Sequence, residues 1–351
     1  MKINYNFRAD MESAPTNRLC FKLFAAFFLT ASLLGCAPKA EEKTVQTYAM
    51  NTVMSLTACG DNADAALNAA VDEINSVDRR MQRSNPEGEI YKLNSEKSAE
   101  LSQDTAEIIS TSLDIADKTD GAFDITIAPV MDLWGFYGQN YHLPDKDELT
   151  AALADVDYKM VSIDGTSAKL DGNISIDLGG IAKGYTSDRL IKLFKENGIT
   201  SAIVTLGGNV QTLGTKSDGS KWRVGIQNPD DSGSYIGIVS LENMAAVTSG
   251  GYQRYFEQDG IKYHHIIDPE TGYPADSGVK SVTIVCENGT LADGLSTSLF
   301  VMGLDKSAEL WKSGCYDFGF VIQTDDNKIY VTEDIEDIFE SDYDVSVVRR
   351  N

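Results

Sequence analysis

Asp293 and Thr297 stand four residues apart in a segment, residues 291–302, whose apolar spacing predicts a helix. At that spacing both side chains project from one face. A carboxylate and a hydroxyl are hard oxygen donors, and magnesium commonly takes one or two carboxylates, completing its octahedron with water and substrate phosphate. On spacing alone a plainer account is favoured, with Asp293 complementing the helix dipole and Thr297 simply packed. A second group lies upstream. Asp177-Leu178-Gly179-Gly180-Ile181-Ala182-Lys183-Gly184 is expected to join a strand to a helix. Glycines there let backbone approach a ligand closely. A helix start offers unpaired N–H groups and partial positive charge to phosphate, and Lys183 adds a cation. The pattern is neither of the known nucleotide-loop signatures, and a tight turn with a surface lysine explains it about as well.

The third group is His264-His265-Ile266-Ile267-Asp268-Pro269-Glu270-Thr271-Gly272-Tyr273-Pro274, which holds two of the three histidines. Its prolines and glycine impose a rigid turn. Histidine is a usual proton carrier near neutral pH. Adjacent residues of an extended chain face opposite sides, so at most one of the pair serves a site; a satisfied core or surface histidine is the alternative. His142, in a polar loop, is given no role. Gly121-Ala122-Phe123-Asp124-Ile125-Thr126, with Pro129 and Trp134-Gly135-Phe136, offers rings for a flavin or adenine to pack on, or simply core. Leu206-Gly207-Gly208-Asn209 and Thr248-Ser249-Gly250-Gly251 are tight turns where backbone could line a cleft.

These groups need elements to hold them. Ala66, Ala69, Ala70, Ile74, Val77 and Met81 make a helical stripe over 62–81. Ile108, Ile109, Leu113 and Ala116 make another over 105–118, closed by Asp120-Gly121. A third helix is predicted over 181–196, stopped by Asn197-Gly198. Residues 48–59 are β-rich. Residues 160–178 read as a hairpin turning at Asp164-Gly165, then a further strand after Asp171-Gly172. Strands are predicted at 202–205, 222–227, 235–241, 280–286 and 318–333, the last turning at Asp325-Asp326-Asn327. This is not strict β-α-β alternation, so the order predicts α+β rather than a doubly wound parallel sheet.

The 351 residues are 42% hydrophobic and 24% charged. That balance argues against general disorder or a fibrous chain and allows a core of normal size. A net charge of −23 repels phosphate backbones, so nucleic acid is not an expected partner. A single phosphate-bearing ligand would need a cation or local backbone donors to offset the field. Arg18 and Lys22 precede a 12-residue, mostly apolar run at 23–34. Twelve helical residues rise about 18 Å, short of a bilayer core of about 30 Å, so a secretory signal is expected rather than a membrane span. Leu33-Leu34-Gly35-Cys36 resembles the bacterial lipoprotein processing box. Residues 1–35 are accordingly expected as a lipoprotein signal peptide, Cys36 as a lipidated N-terminus and 36–46 as a tether. An ordinary signal cut nearby is the alternative, and Met11 is an alternative start. Processing would remove four of 30 basic and two of 53 acidic residues, leaving 26 against 51 and a net charge of −25. Cys59, Cys286 and Cys315 then remain, an odd number without C-x-x-C, which spells no disulfide framework or zinc site. Cys59 and Cys286 are expected as small buried hydrophobes.

Met50-Asn51-Thr52, Gly88-Glu89-Ile90 with Leu93-Asn94, and residues 121–136, 177–185, 206–209, 248–256, 265–274 and 292–303 occur in one order. Together they resemble the FAD:protein FMN transferases, the ApbE-like flavin transferases. The resemblance implies an α+β fold of mixed, largely antiparallel sheets with packed helices, related to the T-fold and spanning 47–351. It implies a bacterial, exported lipoprotein, anchored by palmitate and related lipid at the periplasmic face of the inner membrane. It implies an enzyme that takes FAD and Mg2+ and moves FMN onto a threonine hydroxyl of a target protein, releasing AMP. The targets it implies are subunits of membrane redox complexes, such as sodium-pumping quinone reductases or Rnf-type complexes. By position the resemblance assigns the metal to Asp293, Thr297 and the Gly180 carbonyl. It assigns FAD contacts to Met50, Ala122, Phe123, Asp124, Asp177, Lys183 and Ile267, and the threonine's proton to His265 or Asp293. Three positions depart from the family pattern: Asn51 stands for a glycine, Gly251 for a common acidic residue, and Ser84-Asn85 fall near an aromatic that would cover the flavin. A less shielded site would admit water. The alternatives are therefore an FAD pyrophosphatase giving FMN and AMP, and a non-catalytic flavin-binding lipoprotein. The Asp293–Thr297 pair speaks against the latter, since passive binding needs no metal.

Overall fold

The computed structural model describes residues 41–138 and 140–350. Nine strands form its largest sheet and lie in it in the order in which the chain makes them: Glu42–Ala49, Thr52–Cys59, Ser201–Leu206, Asn209–Leu213, Ala245–Gly250, Val279–Cys286, Gly319–Thr324, Ile329–Thr332 and Val345–Val348. Every neighbouring pair is antiparallel except the last, which is parallel. The chain is thus α+β with largely antiparallel sheets, as its element order predicts. The first two strands join through Met50 and Asn51, both at positive φ (48° and 59°), the backbone of a two-residue hairpin turn. Asparagine tolerates that conformation nearly as well as glycine, so the departure at Asn51 leaves the turn intact.

Helices fill the long connections. Ala63–Met81 and Ala182–Glu196 pack on the first strands around Leu56, Ala70, Ile74, Leu190 and Phe194. Gln103–Lys118 and Gly289–Ser313 share the larger core with Ile108, Leu295, Leu299 and Phe320. The Gly289–Ser313 helix breaks at Gly303 (φ 77°, ψ 175°), where the sequence predicts its end, and then resumes. Cys59 and Cys286 are buried as expected, Cys315 is exposed, and all three are free.

Two expectations are corrected and one open alternative is decided. The first strand begins at Glu42, so residues 42–46 are not tether: they pair with 55–59, and Val45 packs on the adjoining core. Residues 173–178 are not a strand. Their backbone partners are not a neighbouring strand: the Asn94 amide both accepts from Ile176 N–H (2.7 Å) and donates to its carbonyl (2.9 Å). Asp177 N–H donates to Ile125 O at 2.7 Å. Trp134 and Phe136 are fully buried in an aromatic cluster with Phe256 and Tyr263, so they are core and offer no open ring to a flavin. Trp134 Nε1 donates to Gly272 O at 2.7 Å, which ties the Pro269–Pro274 turn to this cluster.

Candidate active site

The Ala182–Glu196 and Gly289–Ser313 helices meet at their starts through two glycines. A Cβ on Gly184 would lie 2.1 Å from Gly289 O and 2.6 Å from Asp293 Cβ. This approach delivers the Asp293 carboxylate, 4% exposed, to the first turn of the other helix. Gly184 N–H donates to Asp293 Oδ2 at 2.8 Å, and Lys183 Nζ lies 3.6 Å from the same oxygen. Gly184 lies in the first turn of its helix, where backbone N–H groups have no helical acceptor, and Asp293 supplies one. The helical ladder begins with Tyr185 N–H to Ile181 O at 3.1 Å, so the Gly180 carbonyl stands just ahead of the helix. Phe123 closes on Gly180, its Cε2 3.0 Å from where a Cβ would stand. Thr297, one turn beyond Asp293, is partly exposed on an otherwise buried stretch, with its hydroxyl 3.4 Å from Ser249 Oγ. Ser249 in turn meets Ser296 at 2.8 Å. The structure therefore brings Phe123, Gly180, Lys183, Asp293 and Thr297 to one place. Ser249 was legible only as part of a turn. Among the described residues no three His, Cys, Asp or Glu side chains gather to hold a metal. One carboxylate with uncharged oxygens suits magnesium, not the nitrogen and sulfur sets of zinc.

His265 Nδ1 lies 3.1 Å from Arg254 O. A carbonyl only accepts, so Nδ1 carries the proton and Nε2 remains an acceptor. Burial, and then the Arg254 cation, push its pKa from 6.5 down to about 3, with His264 and Lys183 adding to the shift. The ring is neutral at physiological pH. His264 faces the other way, as the alternation predicts: Nε2 meets Ala275 O at 3.2 Å and the ring stands edge-on to Phe300. A cavity of about 250 Å3 borders that side, lined by Tyr252, His264, Ser277 and Phe300 but by none of Gly180, His265, Asp293 or Thr297.

The ApbE family's model matches residues 50–318. The chain belongs to the ApbE family. It is similar to an FAD:protein FMN transferase of Vibrio cholerae, 31% identical over 84% of this chain and 91% of that one. An FAD:protein FMN transferase of Treponema pallidum is 36% identical over 58% of this chain, but the match spans only 61% of that relative's length. Among solved structures, the Thermotoga maritima ApbE protein superposes with a TM-score of 0.80 at 31% identity, over 85% of this chain and 99% of that one. The Vibrio cholerae flavin transferase ApbE superposes at 0.76 and 27% identity, with coverage of 85% and 99%.

The remaining positions that the ApbE resemblance assigns to FAD are occupied in different ways. Asp177 Oδ2 accepts from Arg83 Nε and Oδ1 from Gly179 N–H, each at 2.7 Å. Arg83 also pairs with Asp132, and its guanidinium lies 3.9 Å from the centre of the Tyr137 ring. Asp124 is buried and caps the short Ile125–Ile127 turn: Oδ1 accepts from Thr126 N–H (2.7 Å) and hydroxyl (2.6 Å), Oδ2 from Tyr158 N–H (2.9 Å). Burial raises its pKa. Both carboxylates are thus engaged by protein donors. Met50, at the hairpin turn, has its sulfur 3.9 Å from the Thr186 hydroxyl. Ala122 is partly exposed. Ile267 is buried beside Trp134. Of the family departures, Gly251 has a steric reason, since a Cβ there would stand 2.7 Å from His264 Cδ2. Asn85 shapes its own turn by donating to Arg79 O at 2.7 Å.

Proposed function

We propose that the chain is a magnesium-dependent FAD:protein FMN transferase that moves FMN onto a threonine hydroxyl of an acceptor protein. The observation that carries this reading is the buried Asp293 carboxylate seated on the Gly184 N–H beside Lys183, with Thr297 one turn on and Gly180 just ahead of the helix start. Those three oxygens fit magnesium, the donor set being hard and carrying a single charge. Magnesium bound there would offset the diphosphate's charge and stabilise charge developing on the leaving AMP. Lys183 and the helix start supply donors to phosphate within an acidic protein. The acceptor's Oγ forms a bond to the FMN phosphorus as the bond to AMP breaks, and its proton passes to His265 Nε2. An anionic phosphate beside that imidazole raises its proton affinity from the low value it has alone. Positioning of the two substrates contributes at least as much as the base. The relatives' names, FAD:protein FMN transferase, support the same reading.

The chain, with residues 1–35 removed, is incubated with FAD, Mg2+ and a candidate acceptor subunit of a sodium-pumping quinone reductase or Rnf-type complex. Flavin fluorescence on the acceptor band, matched mole for mole by AMP, is the expected result. FMN and AMP without a labelled acceptor would identify a pyrophosphatase, and no AMP at all a passive flavin carrier.

The signal and Cys36 lie outside the described residues, and among the described residues no helix is long and apolar enough to cross a membrane. Lipid anchorage through Cys36 at the periplasmic face of the inner membrane therefore belongs to the proposal. Mass spectrometry of the N-terminal peptide from membrane extracts should show a diacylglyceryl-modified Cys36; an unmodified residue rejects the anchor.

A further inference from the structure

Asp188 lies on the Ala182–Glu196 helix, yet its carboxylate serves the start of the other helix. Oδ1 accepts from Gly289 N–H at 2.8 Å and from Gln211 Nε2 at 2.7 Å. Oδ2 accepts from Thr290 N–H at 2.8 Å and from the Thr290 hydroxyl at 2.6 Å. The contacts to Gly289 and Thr290 reach 101 and 102 residues along the chain. A local cap is already present, because Asn288 Oδ1 accepts from Leu291 N–H at 2.8 Å. In the opposite direction, Asp293 of the Gly289–Ser313 helix accepts from Gly184 N–H. Each helix therefore satisfies orphan N–H groups of the other with a carboxylate, which the positive end of a helix favours. Two such clasps at two points, with glycines in contact between them, fix both the separation and the rotation of the pair.

We infer that Asp188 is a positioning residue for the metal site, holding the helix that carries Asp293 and Thr297 in register with Gly180 and Lys183. Its four hydrogen bonds occupy it, so it is not itself a ligand. The inference rests on the magnesium reading above and concerns which residue sets that site's affinity. Groups that orient metal ligands typically change affinity by about 10- to 100-fold when altered. Asp188→Asn turns an N–H donor toward one of the N–H groups it now accepts from, while leaving every proposed ligand in place.

The test is Mn2+ binding to the chain, followed by electron paramagnetic resonance in the presence of ADP, a diphosphate that cannot donate FMN. The Mg2+ dependence of AMP release from FAD is measured in parallel. Asp188→Asn is expected to weaken Mn2+ binding about 10- to 100-fold and to raise the half-saturating Mg2+ alike, with turnover at saturating Mg2+ within about threefold of wild type. Thr290→Val, which removes one of the four hydrogen bonds, is expected to shift Mn2+ affinity about threefold in the same direction; it decides the matter if Asp188→Asn does not fold. Unchanged Mn2+ affinity in a folded variant with a lowered melting temperature reduces Asp188 to a structural cap and overturns the inference. Absence of Mn2+ binding by the wild type overturns it too. Wild-type Mn2+ binding without AMP release from FAD would instead sink the transferase reading, while the clasp would still stand on the variants' affinities.

Discussion

Asp293→Ala should release AMP from FAD at no more than about one-thousandth of the wild-type rate, a barrier increase of ~4 kcal/mol. The substitution removes the only carboxylate of the proposed magnesium set, and the Gly180 carbonyl and Thr297 hydroxyl carry no formal charge to replace it. It also strips Gly184 N–H of its acceptor, and a buried unsatisfied donor costs about 1–3 kcal/mol. Lys183 is less affected, since 23% of its side chain is exposed and it can turn to water. The fold should therefore survive with a melting temperature lowered by several degrees. Asp293→Asn separates the two roles. Its amide oxygen can still accept from Gly184 N–H, so stability should stay near wild type, while AMP release should remain at the alanine level because the charge is gone. Calorimetry and AMP quantification over a range of Mg2+ concentrations check both variants. Turnover near wild type in either removes Asp293 from the metal set.

Legibility in the sequence followed the range of the interactions involved. The helix over Ala63–Met81 was readable because its buried positions, Ala66, Ala70, Ile74, Val77 and Met81, recur at the helical period. The break at Gly303 was readable because glycine marks it locally. Asn209–Leu213 and Ala245–Gly250 show no strand signal in the sequence, and the turn expected at 248–251 is instead the end of the latter strand, paired through Gly250 with Ser281. Each has few apolar residues and neighbours on both sides in the sheet, and in the first Asn209, Gln211 and Thr212 are buried, so no alternation shows. Residues 173–178 carry apolar side chains at a strand's period, but Asn94 takes the hydrogen bonds a neighbouring strand would supply. At the site, the shared face of Asp293 and Thr297 was a local property and could be seen. That Gly184, 109 residues away, would receive Asp293, and that Asp188 would return the favour to Gly289, are properties of a tertiary contact with no periodic trace. Trp134 and Phe136 show the converse limit, because ring composition alone does not distinguish a flavin platform from a core.

Gly184→Ala is the substitution whose sign distinguishes a precise helix contact from ordinary packing. Gly184 is helical and not at positive φ, so helix propensity alone predicts that alanine stabilises by about 1 kcal/mol. The neighbours oppose this. The new methyl would stand 2.1 Å from Gly289 O and 2.8 Å from Gly289 C, backbone atoms that cannot swing aside, and a Cβ on Gly289 would likewise stand 2.5 Å from Ser187 Oγ and 2.7 Å from Gln211 Oε1. The helices must part by about an ångström or more, and overpacking of this kind costs about 1–3 kcal/mol, sometimes more. The separation lengthens the 2.8 Å bond from Gly184 to Asp293 and moves the carboxylate off the Gly180 turn. Since a displacement of about 1 Å can cost 100-fold in rate, AMP release should fall at least that far at temperatures where the protein remains folded. Gly198→Ala is the control. Gly198 sits at φ +76° with open space around it, so alanine there should cost about 1 kcal/mol in backbone strain and leave AMP release unchanged. If Gly184→Ala instead melts above the wild type and retains its rate, the two helices are not in the contact that the site requires.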